Sequence, residues 1–527
     1  MRRVSPDPVL QGVSSVIGMY PPLSGIGYGQ GGIFLRKQLP IFYSAMLLTL
    51  VNLLLRFVGT SFQVYLSGRI GAAGIGLLQL VMSVGGMAMV AGTAGIRTAT
   101  MYLTAEELGR SRPQNVTRIL SGCFLYSVLF SSAVGLLLWH FAPFISQNWI
   151  GDIHTANALR LLAAFLPATC LCGVMTGYFT AANRIGTLAI VGVAEQLASM
   201  GITLGLLHFW AGSDAASACQ AVVLGAALGS VTTLGWLVFL RWKQHAPVGS
   251  RIPIARRLSQ TALPLAVADD LRTGISTAEN LMVPKRLALN TAVENPLAAF
   301  GIVSGMVFPV LMFPACILFG LAELLIPELA RCAAAGRENR IRYLVRRSLK
   351  SAAIYGLLFF GLMYLTAEPL CMKLYGSMEA AENLKRYALL IPMLYCDAIT
   401  DAMIKGLGQQ RICVRYNIIT NILDIVFLYL LLPNYGMAGY FFSFALTHLL
   451  NFLLSFRRLM KITGQAIPIR IFLCCMASAP ASIWIAGHLA SPLLRAAAYP
   501  VLLFCLLTLL DILRREDAVW LKGLVRP

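Results

Sequence analysis

The sequence predicts an all-α polytopic membrane protein of about 14 transmembrane helices, arranged as two six-helix lobes related by a pseudo-twofold axis plus two C-terminal helices. Three observations lead there. Only 12% of the 527 residues are charged, against about 25% in soluble domains, too few to cover a water-facing globule. The apolar residues, 58% of the chain with a mean hydropathy of +0.74, come in blocks such as 72–96, 119–141, 216–240, 351–366 and 437–456. Each is close to the roughly 20 residues that carry a helix across a bilayer and lacks the polar residue at every turn of a soluble amphipathic helix. Third, short matches recur at a constant offset between the two halves of the chain.

In chain order, residues 1–33 are rich in Gly, Pro and Ser, lack the apolar core of a signal peptide, and are read as a flexible cytoplasmic tail. Spans are predicted near 40–60, 72–98, 119–142, 156–178, 186–208 and 216–240, which form an N-lobe over 34–240. A cytoplasmic linker, 241–260, leads to spans near 261–284, 297–326, 350–370, 387–404, 412–432 and 436–456, a C-lobe over 261–460. The segment 461–527 holds the last two spans, near 470–489 and 496–513, and a cytoplasmic tail.

The repeat supports this division. Gly74–Ile75 recurs 227 residues later as Gly301–Ile302, Gly109–Arg110 as Gly336–Arg337, and Arg184–Ile185 as Arg411–Ile412. Leu55–Arg56 recurs as Leu271–Arg272 when the first and seventh spans are aligned, and Pro167 and Pro392 sit in matching spans. Six spans separate the copies, an even number, so both halves share one orientation and the axis runs along the membrane normal.

Charge sets the topology. Of 42 Lys and Arg, 31 fall on the inner loops, tails and inner span ends, 7 on the outer loops and 4 within or near the ends of spans. This positive-inside asymmetry places both termini in the cytoplasm. The +20 formal charge is therefore topology, not a nucleic-acid surface. The 12 cysteines are scattered, mostly inside spans, and the 6 histidines lie far apart, so no metal site, disulfide framework or cofactor is expected. No catalytic triad, Walker loop or dinucleotide fingerprint is present. The short outer loops leave no room for an appended catalytic domain, and no enzyme is expected. A monomer is anticipated.

The seventh span, TALPLAVADDLRTGISTAENLMVPKRL, carries the strongest functional signal. At about 100° per residue, Asp269, Arg272, Thr273, Ser276, Glu279 and Asn280 share one face about 120° wide. Ionisable groups at membrane depth are costly and usually face a watery cavity or a partner. An Asp269–Arg272 bridge alone is the simpler reading, but the stripe holds more polar groups than that bridge needs. Asp270 points about 100° away from Asp269. Asp269, Asp270 and Glu279 are candidates for coupling to a cation, Na or H. In the first span, Asn52, Arg56, Gly59 and Gln63 share a face, and Arg56 lies too deep to snorkel comfortably to an interface. Arg56 and Arg272 are repeat counterparts, and guanidinium forks suit phosphate oxygens. Arg97 ends the second span, as an interfacial anchor or a first contact for an anionic headgroup. Asp397, Asp401 and Lys405 form an ion ladder at four-residue spacing in the tenth span. Glu195 and Glu323 are single acids within spans, each as well explained by packing as by a site. Pro309 and Pro314 should bend or break the eighth span.

The runs LLLRFVGTSFQVYLSGRIGAAGIGLLQLV, ALPLAVADDLRTGISTAENLMVPKRL and FGIVSGMVFPVLMFPACILFGLAELLIPELARCAAAG resemble the stage V sporulation protein B family, in its clostridial form. That family belongs to the polysaccharide-biosynthesis branch of the multidrug/oligosaccharidyl-lipid/polysaccharide exporter superfamily. The resemblance covers about residues 34–515. It implies 14 helices and transport of a polyprenyl-diphosphate-linked saccharide, such as a peptidoglycan precursor, across the cytoplasmic membrane. It also implies that arginines of the first, second and eighth spans line the cavity. Arg56 with Gly59 matches the R-x-x-G pattern of the first span, and Arg97 matches the second-span arginine loosely. Phe62 stands where the family pattern has a second arginine, and the eighth span has no internal arginine, which leaves Arg272 to supply the missing charge.

Three functions compete. A lipid-linked saccharide flippase working by alternating access needs cavity cations, and Arg56, Arg272 and Arg97 with Asn52, Gln63, Asp269, Glu279 and Asn280 are its expected substrate contacts. A cation-coupled multidrug antiporter needs acids and aromatics. A non-transporting scaffold for cell-wall synthesis needs large loops and no polar stripe.

Overall fold

The computed structural model describes residues 41–110, 112–182, 184–209, 215–243, 254–465 and 469–513. The expected tail 1–33, residues 514–527, linker residues 244–253 and the side chain of Asn52 lie outside the described residues. Every regular element among those described is helical.

The first helix runs unbroken in hydrogen bonding over Ile41–Thr93 (53 residues), about 80 Å at 1.5 Å per residue against about 30 Å of hydrocarbon. One crossing cannot contain it. Gly71, in the left-handed region (φ 68°), divides it into α1 (41–70) and α2 (72–93). The first loop expected from the sequence is thus a single-residue turn that a glycine adopts without steric cost. The same device at Gly436 (φ 54°) divides Gln410–Thr463 into α15 (410–435) and α16 (437–463). Between them lie α3 (Ile96–Gly109), α4 (Pro113–Ile145), α5 (Ala156–Ala181), α6 (Ile185–Phe209), α7 (Ala215–Trp242) and α8 (Ile254–Leu287). They are followed by α9 (Pro296–Gly301), a π turn (Ile302–Val307), α10 (Phe308–Met312), α11 (Ala315–Ala334), α12 (Glu338–Tyr375), α13 (Met378–Ala388) and α14 (Ile391–Gly406). The last helices are α17 (Ile469–Gly487) and α18 (Pro492–Leu509).

Prolines act where expected. Proline lacks the amide hydrogen and clashes with the preceding turn; around Pro309 and Pro314 the eighth span bends by 62° between 296–312 and 315–334. A second bend, 55°, separates α13 from α14 just ahead of Pro392.

Among the described residues, eight helical segments are long and apolar enough to cross a membrane, or ten if each bent pair is one span. α8 is not among them, although it has 34 residues. Asp269, Asp270, Arg272 and Glu279 interrupt its apolar run, so the helix with the most functional promise is the one that composition alone scores worst.

Packing is dense within each half. α5 packs against α4 and α7, with α6 on α7 and α3 against α4 and α5. In the second half α14 packs on α11, α12 and the α15–α16 segment. α18 seats on α12, where Gly361 admits the ring of Tyr499 and the Tyr499 hydroxyl donates to the Leu357 carbonyl at 2.6 Å. The halves meet along α2–α3 on one side and α8–α9 on the other. Gly301 lies against the backbone of Ala72 and Gly76 with no room for a Cβ on either glycine. Thr277 and Asn280 of α8 donate to the carbonyl and hydroxyl of Ser83 at 3.2 and 3.1 Å. The repeated Gly-Ile pair therefore places one of its glycines where the two halves approach most closely.

Candidate functional site

A cavity of about 410 Å³ opens between α1, α6 and the broken eighth span. Arg56, Gly59, Thr60 and Gln63 of α1 line it together with Gln196, Ser304, Phe308, Pro309 and Met312. The repeat of four along α1 places Arg56, Thr60 and Gln63 on one face. Gln63 Nε2 donates to the Gly305 carbonyl at 2.8 Å, which tethers α1 to the π turn. That turn exists because the prolines break the regular ladder, and it puts Ser304 on the cavity wall. Phe57 meets Phe313 edge-on, with ring centroids 6.2 Å apart. Among the described residues, Arg56 is the one charged residue lining the cavity, and no carboxylate lines it. Such a wall, one guanidinium among amides and hydroxyls, is suited to an anionic group with further hydrogen-bond acceptors.

Arg272 does not line this cavity. It is exposed on α8, as is Asp269, and no Asp269–Arg272 ion pair forms among the described residues. The polar stripe of α8 divides instead. Thr277 and Asn280 turn to α2 through Ser83. Asp270 is half-buried, with Oδ1 enclosed, without a hydrogen-bond partner, and near Tyr126 of α4. Glu279 turns the other way and hydrogen-bonds the side chain of Asp424 on α15. Asp424 is 6% exposed, and its Oδ1 accepts from Ser443 Oγ at 2.6 Å and from Thr447 Oγ1 at 3.2 Å, both on α16. Two carboxyl groups in contact in a low-dielectric interior need a proton or a cation between them. Asp424 escaped the sequence reading because it is a single acid in the apolar run NILDIVF; a lone carboxylate at membrane depth was the signal available.

The ladder of the tenth span is used between helices rather than along one. Asn451 Nδ2 donates to both oxygens of Asp397 at 3.1 and 3.3 Å, and Ser455 Oγ donates to Asp401 at 3.2 Å, tying α14 to α16. In the first half, Ser230 Oγ donates to Glu195 at 3.3 Å. Arg97 is exposed at the start of α3, with its stem beside Gly173 of α5 and away from the Arg56 cavity. Asn52 shares the helix of Arg56, but its side chain lies outside the described residues.

Residues 42–268 match the family model described as polysaccharide biosynthesis protein, and residues 287–430 match the MatE model. Stage V sporulation protein B of Bacillus subtilis (strain 168) is 21% identical over 75% of this chain and 78% of its own. The chain is thus similar in its first part to polysaccharide biosynthesis proteins and in its second part to MatE proteins. Sporulation protein YkvU of the same organism is 20% identical over 71% of this chain and 84% of its own. The exporter fold is shared with solved structures. The lipid II flippase MurJ in an inward closed conformation superposes with a TM-score of 0.66 at 12% identity, covering 91% of this chain and all of that one. An inward-facing multidrug resistance transporter of the MATE family gives 0.63 at 13% identity, covering 80% of this chain and all of that one. The protein is thus a multi-pass membrane protein with the fold that these solved structures share.

Proposed function

We propose that this exporter is a flippase that carries a polyprenyl-diphosphate-linked saccharide, of the lipid II type, across the bacterial cytoplasmic membrane by alternating access between its N- and C-lobes. The observation that carries the reading is the Arg56 cavity, whose single lining charge is positive and whose remaining polar lining is amide and hydroxyl. A diphosphate takes a bidentate grip from one guanidinium. A cationic drug would need a carboxylate, and none lines the cavity. The volume of about 410 Å³ lies near the lower end of the roughly 300–1,000 Å³ of ligand sites. It suits a headgroup diphosphate in a closed state, with the glycan admitted when the halves part. Gln63 orients α1 and supplies an amide to the same wall. Arg272, exposed and outside the cavity, meets the cargo in a different conformation or not at all. Both termini are placed in the cytoplasm by the 31-to-7 charge split.

The coupling ion, H or Na, is assigned to the Glu279–Asp424 pair with Ser443 and Thr447. Asp269 and Asp270 lie outside that cluster. Binding a cation between the carboxyls removes their mutual repulsion, so occupancy biases how α8 sits against α15. The test is binding and flipping of a purified polyprenyl-diphosphate sugar in proteoliposomes, with a cationic dye as competitor. Flipping that the dye does not inhibit supports the reading. Dye uptake without lipid flipping overturns it and favours the multidrug antiporter.

A further inference from the structure

Between the halves, α2–α3 and α8 run side by side from the cavity level to the end of the molecule that bears the basic loops. The seam is close again where α2 ends. Ala94 and Gly95 both take left-handed backbone (φ 42° and 70°), which turns the chain sharply between α2 and α3. For a buried alanine this is an uncommon conformation, held only where surrounding structure enforces it. What encloses it is visible. The Tyr126 hydroxyl donates to the Ala94 carbonyl at 3.3 Å. Across the seam, a Cβ on Gly95 would come within 2.5 Å of the Ala262 carbonyl and 3.2 Å of the Ala266 amide nitrogen. Only a glycine lets α8 approach this closely.

Beyond that close approach, α3 ends in two adjacent acids, and α8 begins with an arginine facing them. Arg257 Nη2 meets Glu106 Oε2 at 2.6 Å while its Nη1 meets Glu107 Oε1 at 3.1 Å. Arg110 takes the other oxygen of Glu106 at 2.7 Å, and Asn115 Nδ2 takes the other oxygen of Glu107 at 2.9 Å. All four carboxylate oxygens are occupied, and two negative charges are matched by two positive ones. The Glu107 side chain is 2% exposed and that of Arg257 32%, so water can reach this contact from the Arg257 side. Four of the five groups belong to the first half; Arg257 alone comes from the helix that begins the second. A network built to stabilise one half would not route its central cation from the other.

We propose that Arg257 is the latch of a gate between the two halves: while it bridges Glu106 and Glu107 the α3–α8 seam is shut at the basic end, and its release lets the first turns of α8 part from α3. The seam supplies what a gate needs. At Gly95 it is a close backbone contact made of small residues, with Leu258 buried beyond it in a cluster with Ile96, Ala99 and Leu103, and it is closed at its rim by a charge contact that water can compete for. Glu106 and Glu107 keep Arg110 and Asn115 when Arg257 leaves, so neither is stranded on opening.

The test is hydrogen–deuterium exchange of the full-length protein in nanodiscs, with no substrate added, so that it stands apart from the assignment of the cargo. Arg257→Gln and Glu106→Gln are compared with wild type. Exchange in peptides covering 94–109 and 254–267 is expected to rise at least tenfold in Arg257→Gln and about threefold in Glu106→Gln, which leaves the Glu107 contact in place. Peptides covering 156–181 are expected to be unchanged. Unchanged exchange at 94–109 and 254–267 in both variants overturns the proposal. So does a rise spread evenly over the chain in both, which would make the contact a tie that holds the fold together rather than a gate. If Arg257→Gln alone loosens the whole chain, Glu106→Gln decides between these outcomes.

Discussion

The two halves of this transporter share a repeat but not an interior. Across the predicted spans of the first half there is one acid, Glu195, and the spans of the second half hold eight: Asp269, Asp270, Glu279, Glu323, Glu368, Asp397, Asp401 and Asp424. The contrast is visible at single positions. Five residues after the matched prolines Pro167 and Pro392 stand Cys172 and Asp397. Cys172 donates its thiol to the Ser230 carbonyl at 3.0 Å, joining α5 to α7, whereas Asp397 accepts from Asn451, joining α14 to α16. The charged residue of the cavity, Arg56, comes from the first half, and the paired carboxyls Glu279 and Asp424 come from the second. On the proposed function, these are the anion site and the cation site of a coupled carrier of a diphosphate.

The largest expected effect falls on the anion side. Arg56→Ala should lower flipping by a hundredfold or more at normal membrane abundance, and Arg56→Lys by about tenfold, because lysine keeps the charge but loses the fork. Proteoliposome flipping rates normalised to reconstituted protein check both. On the cation side, Glu279→Gln is expected to lower flipping about tenfold and to abolish its response to an imposed ion gradient, while substrate affinity stays within about twofold. An intact gradient response would separate the carboxyl pair from coupling.

How much of this was legible in sequence differs between elements for physical reasons. Hydropathy predicted the helical class, and Pro309 and Pro314 predicted the bent eighth span, because span length and the missing proline amide are local properties. Arg56 and Gln63 were found by their shared helix face, and both line the cavity. The partners across helices were not legible. The spacing that grouped Asp269, Arg272, Glu279 and Asn280 on α8 is correct as helix geometry, but it carries no information about which neighbour each residue meets. Glu279 faces α15, Asn280 faces α2, and Arg272 is exposed. Asp424, Gln196 and Ser304 reach their places beside Glu279 and on the cavity wall only through tertiary contacts, and the single-residue turns at Gly71 and Gly436 replace loops that hydropathy had drawn longer.

Smaller effects sharpen the comparison of the halves. Asp397→Ala strands the Asn451 amide and should destabilise the protein by about 1–3 kcal/mol, read as lower thermal stability in detergent with the ion response intact. Cys172→Ser at the matched position should stay within about 0.5 kcal/mol, since a hydroxyl can replace the thiol as donor. Acid should act on the α3–α8 contact last. Burial alone would raise the Glu107 carboxyl, but Asn115, then Arg257 and Arg110, hold it below its usual value. Glu107 lies past the apolar stretch that ends near residue 98. A carboxyl lowered in the folded state adds stability above its unfolded value of about 4.3 and loses it only as pH falls through the lower folded value. The protection factor at 94–109, exchange corrected for the intrinsic pH dependence of the amides, is therefore expected to be flat from pH 8 to about 5 and to fall only below about 4.

The division of labour itself is tested most directly by equilibrium binding in nanodiscs, comparing a polyprenyl diphosphate with the corresponding polyprenol. Wild type is expected to bind the diphosphate at least tenfold more tightly, Arg56→Ala to lose that preference, and Glu279→Gln to keep it. A preference that survives Arg56→Ala, or that disappears in Glu279→Gln alone, would contradict the assignment of the anion to the first half and the cation to the second.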